Sequence, residues 1–123
     1  MKKTALALIA LALLAGCVQQ TDKTTTSGNP NAPLKEFDIT AKQFSFEPEE
    51  ITVEFGDRVK LSITSPDVEH SFALPEFNVN KTIPAGQTVT VEFVAEKKGR
   101  FTFYCSVYCG AGHSEMNGAL IVE

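Results

Sequence analysis

A chain of 123 residues with a formal net charge of −4 has room for one domain and little else. With Lys2 and Lys3 set aside, nine basic residues face fifteen acidic ones, a balance of −6, which argues against nucleic acid as a partner. A basic protein partner matches that charge, and so does simple solubility.

Lys2 and Lys3 lead into an unbroken apolar run from Ala5 to Ala15. As a helix these eleven residues would rise about 16 Å, well short of the roughly 30 Å of a bilayer core. The run therefore reads as the apolar stretch of a secretory signal peptide. Leu14-Ala15-Gly16-Cys17 then resembles a bacterial lipobox, in which the cysteine is lipidated and becomes the new N-terminus. An ordinary signal peptide with a chance cysteine is the alternative. From Val18 to about Pro33 the residues are mostly Gln, Thr, Ser, Gly, Asn and Pro without apolar periodicity, the composition of a flexible tether. The expected organisation is a signal peptide over 1–16, a lipidated Cys17 with its linker over 17–34, and one domain over 35–123. The expected location is extracytoplasmic, held to a membrane by the lipid anchor.

Alternation marks the domain as all-β. Ile51, Val53 and Phe55 share one face, as do Val59, Leu61 and Ile63, and then Val89, Val91 and Phe93. Phe101 and Phe103 make a fourth set, and Ala119 to Val122 a closing strand. Gly56-Asp57, Pro84-Ala85-Gly86 and Gly99 punctuate them. Seven or so short strands with such turns predict a small Greek-key β-sandwich. All nine Phe fall in this segment and there is no Trp, so most of the Phe are expected in the core.

The chemistry is concentrated in Cys105-Ser-Val-Tyr-Cys109-Gly-Ala-Gly-His113-Ser-Glu-Met116, with two thiols, an imidazole and a thioether inside twelve residues. The chain has one other histidine, His70, in Asp67-Val-Glu-His-Ser-Phe. Soft thiolates with Met favour copper, and imidazole suits it too. Gly110, Gly112 and Gly118 allow a tight backbone path around an ion. A Cys105–Cys109 disulfide is one alternative in an oxidising compartment, but it leaves His113 and Met116 without a role. Structural zinc on two Cys and two His is another, with no use for Met116. His70 could also sit satisfied at a strand end. A mononuclear blue site needs one Cys, two His and Met, which strands the second thiol. Two coppers sharing two sulfurs would use every soft ligand.

The spacing Cys-x3-Cys-x3-His-x2-Met, with Asp-Val-x-His-Ser-Phe upstream, resembles the CuA domain of cytochrome c oxidase subunit II, and nitrous oxide reductase carries a similar loop. The resemblance spans about Glu36 to Glu123 and implies a cupredoxin fold. It implies a binuclear centre of two copper ions bridged by Cys105 and Cys109, with His70 and His113 as terminal ligands. Met116 and the backbone carbonyl of Val107 would be weak ligands. The oxidase loop often has Glu where Val107 stands, and its aromatic patch for electron uptake usually includes Trp. The resulting expectation is a one-electron carrier with no catalytic acid or base. Its redox partner would be a c-type cytochrome, another cupredoxin or a terminal oxidase. The rival expectations are a subunit II docked in a haem-copper oxidase, and a lipoprotein that handles or delivers copper.

Overall fold

The computed structural model describes residues 29–123, so the leader expected over 1–16 and the lipidated Cys17 lie outside the described residues. Nine strands follow in order: β1 (Leu34–Lys42), β2 (Ser45–Glu47), β3 (Glu50–Val53), β4 (Arg58–Thr64), β5 (His70–Leu74), β6 (Val79–Ile83), β7 (Thr88–Val94), β8 (Gly99–Tyr104) and β9 (Asn117–Val122). One sheet has the order β2-β1-β4-β7 and the other β3-β9-β8-β5-β6. The chain passes repeatedly between them, and the all-β sandwich expected from the alternation is what forms. Both sheets are mixed, because β1 runs parallel to β4 and β3 parallel to β9.

Strands whose two faces differ in polarity are those the alternation revealed. In β4, Val59, Leu61 and Ile63 are buried, while Lys60 and Ser62 on the other face are partly exposed. Ile51 and Val53 of β3 and Leu120 and Val122 of β9 face the same core. Phe55 does not continue the Ile51–Val53 face: it lies beyond the end of β3 and is 55% exposed. Gly56 at φ +90° and the Asp57 carboxylate, which accepts the Glu54 N–H at 2.9 Å, turn the chain before Phe55 can reach the core.

Three phenylalanines form the centre. Phe46 meets Phe72 and Phe103 edge-on, with ring centroids 5.9 and 5.3 Å apart, and Phe72 and Phe103 lie at 4.8 Å. Such edge-to-face and offset contacts suit the charge distribution of aromatic rings and add to the area they bury. Phe46 comes from one sheet and Phe72 and Phe103 from the other, so the cluster ties the two layers together. It sits beneath the end of the sandwich where β5 starts and β8 ends.

Candidate metal centre

That end collects every side chain singled out for metal binding. β5 delivers His70 as its first residue, wholly buried. β8 ends at Tyr104, and the segment from Cys105 to Met116 arches over the end before β9 takes up the chain. The arch is closed at its base by the Tyr104–Asn117 pair and by the Cys105 N–H donating to the Met116 carbonyl at 3.2 Å. A 3-10 turn over His113–Glu115 tightens its far half. Gly110 and Gly112 lie directly on Phe44: a Cβ at either would come within 2.7 and 2.4 Å of its ring carbons.

The donor atoms converge. The sulfurs of Cys105 and Cys109 are 3.5 Å apart, and both are free thiols rather than a disulfide. Cys109 Sγ lies 3.6 Å from His113 Nδ1 and 3.8 Å from Met116 Sδ. Cys105 Sγ lies 3.1 Å from the Val107 carbonyl oxygen. One ring nitrogen of His70 and the two sulfurs lie within 4.8 Å of one another. All six groups proposed from the sequence are thus in one cluster, with Cys105, Cys109, His70 and Met116 buried and His113 half-buried.

The polar surroundings orient His70. Asp67 Oδ1 contacts Nε2 at 2.8 Å, which makes that nitrogen the N–H donor and leaves Nδ1 with its lone pair. Nδ1 is buried and has no hydrogen-bond partner. Burial alone would raise the Asp67 carboxyl, but the N–H groups of Gln43 and Val68 and the His70 ring outweigh it and hold the group at about 2. Asp67 is therefore a fixed anion behind the imidazole. Burial pushes the Cys109 thiol up to about 11, with the neighbouring Cys105 adding to the effect. The Cys109 thiol therefore keeps its proton until a cation takes its place.

An orphaned imidazole lone pair beside two adjoining sulfurs is what a soft metal ion would satisfy, since a buried unpartnered polar atom is otherwise costly. The thioether 3.8 Å from Cys109 Sγ belongs to a copper-type donor set and has no use in a Cys2His2 zinc site. The residues fit copper. Sequence reading missed the supports behind these donors. Gln43 donates from Nε2 to the Cys109 carbonyl and from its backbone N–H to Asp67 Oδ2, both at 2.8 Å. Ser71 accepts the Ser106 N–H at 2.6 Å. Asp67 was visible in the upstream motif, whereas Gln43 stands 66 positions from its partner Cys109 with no local signal.

The family model of the cupredoxin-like domain matches residues 5–122, and the chain belongs to that family. It is 34% identical over 85 residues to cytochrome c oxidase subunit 2 of Thermus thermophilus, covering 69% of this chain and 63% of that protein. It is 39% identical over 89 residues to the nitrous-oxide reductase of Cupriavidus necator, again over 69% of this chain but 14% of the enzyme. The chain thus spans less than two thirds of these relatives. Among solved structures, the periplasmic domain of subunit II of cytochrome oxidase from Bradyrhizobium japonicum superposes with a TM-score of 0.65 at 26% identity, over 72% of this chain and 83% of that one. A chain in a haem-copper terminal oxidase dimer gives 0.66 at 29% identity, over 72% and 65%. The expected resemblance to subunit II and to nitrous oxide reductase is borne out.

Proposed function

We propose that this chain is an extracytoplasmic one-electron carrier whose centre is a CuA-type pair of copper ions. Cys105 and Cys109 would bridge the pair, His70 and His113 would terminate it, and Met116 and the Val107 carbonyl would bind weakly. The observation that carries this reading is the 3.5 Å approach of two buried thiols beside the orphaned Nδ1 of His70. Copper held there supplies the reversible one-electron chemistry. The chain's own part is to hold the donors in place and keep water out. Asp67 fixes the tautomer and tilt of His70, and the burial of Cys105, Cys109 and Met116 dries the site. Donors held before and after electron transfer need little rearrangement between redox states.

The relatives support the reading, being subunit II of cytochrome c oxidase and nitrous-oxide reductase. A c-type cytochrome, another cupredoxin or a terminal oxidase would serve as redox partner. Cys17 would carry a lipid that holds the protein on the membrane surface. A second reading, supported by the names of those relatives, makes the chain subunit II docked in a haem-copper oxidase; co-purification with haem would favour it.

The test is copper stoichiometry and the electron paramagnetic resonance spectrum of the loaded protein. Two coppers per chain and a purple, mixed-valence signal are expected. One copper with a blue colour and single-ion hyperfine structure would reject the binuclear site. Cys109→Ser should abolish or convert the centre, because a hydroxyl is harder and far less acidic than a thiol.

A further inference from the structure

The turn between β1 and β2 holds no metal donor, yet it reaches both arms of the site. Gln43 is where it does so. The side-chain Nε2 donates to the Cys109 carbonyl at 2.8 Å, and a carbonyl partner requires the NH2 end of the amide, so the orientation is unambiguous. The backbone N–H of the same residue donates at 2.8 Å to Asp67 Oδ2, while Asp67 Oδ1 contacts His70 Nε2 at 2.8 Å. One residue therefore joins the ligand arch, at Cys109, to the strand that presents His70. The next residue, Phe44, packs where any Cβ on Gly110 or Gly112 would be, so the turn also presses on the arch from below.

We infer that Gln43 is a positioning residue, which fixes Cys109 and His70 relative to each other and to the metal. This rests on the proposed copper site. Cys105 is anchored at the end of β8 and Met116 at the start of β9, but Cys109 stands at mid-arch, four residues from the nearer anchor. Among the described residues, the Gln43 amide is the one hydrogen bond from the β1–β2 turn to that arch. Removing it frees the Cys109 carbonyl, and the backbone that aims Cys109 Sγ can rotate. Phe44 packing remains and keeps the turn seated, so the fold survives while the sulfur loses its fixed direction. Partners one step behind a metal ligand commonly alter affinity by about tenfold or more when removed.

The experiment uses the full chain loaded with copper(II), comparing wild type with Gln43→Met and Gln43→Glu. Met keeps the length without a donor, and Glu places an acceptor against the carbonyl. The expected result is loss of copper to excess chelator about tenfold faster in both variants, with altered copper hyperfine splitting. The melting temperature of the metal-free Gln43→Met protein should stay close to wild type. Copper loss and spectrum matching wild type would overturn the inference. So would parallel falls in metal-free stability and copper retention with an unchanged spectrum, since that is the mark of packing alone. A wild type that fails to bind two coppers would instead reject the binuclear centre, an outcome separate from any effect of Gln43.

Discussion

Val107 offers the arch two different things. Its carbonyl lies 3.1 Å from Cys105 Sγ, and its side chain packs half-buried against the edge of the core. If the carbonyl is what copper uses, the side chain is free to vary while the backbone path is not. Val107→Ala should lose about 1 kcal/mol of stability at most and keep both coppers, and Val107→Glu should keep them as well. Val107→Pro should not, because a fixed φ and a missing N–H re-aim the carbonyl in a short arch. Copper content and visible spectra of the three variants decide it, and equal damage from Ala and Pro would assign the role to the side chain. At this scale the donors were legible in the sequence because Cys, His and Met are scarce and fall within twelve residues. Gln43 was not, because a glutamine in a polar turn has no distinguishing pattern until the fold brings Cys109 beside it.

The elements differ in how plainly they were written. β4 declared itself through strict alternation, but β5 did not: all five of its residues are buried, so no polar face marks the period. β6 buries just its end residues, and β1 buries only Ile39 and Ala41 among nine, so neither is among the strands that alternation marks. β1 is held as a strand by seven parallel partners along β4, a long-range pairing that local composition does not encode. The β8–β9 arch shows the converse, where glycine in the sequence had a meaning that packing supplies. Gly112 has its Cβ position 2.4 Å from the Phe44 ring, and ring carbons cannot swing aside as a flexible chain end would. Gly112→Ala should therefore cost about 1–3 kcal/mol and lift the arch, seen as a lower melting temperature without metal and reduced copper content. A variant with wild-type stability and full copper would show that Phe44 yields without consequence.

On the scale of the whole molecule, the proposed anchor and the metal site make separable claims. If Cys17 is lipidated, the wild-type protein should fractionate with membranes and Cys17→Ser should fail to give the processed form. Proteolysis between residues 18 and 33 should then release a domain that keeps its colour. Wild-type protein recovered free with an unmodified N-terminus would reject the anchor and leave the copper centre standing.

The course of β1 also fixes where anything attached in front of the domain must join it. The strand starts at Leu34 beside Arg58 and ends at Lys42, one residue before the turn that touches Cys109. Eight steps of strand place that start about 26 Å from the site end. Whatever precedes the strand thus enters the domain at the end opposite the site, as a handle joins a blade. If the proposed redox partner docks at the site end, a fusion joined at Leu34 starts from the far end of the domain.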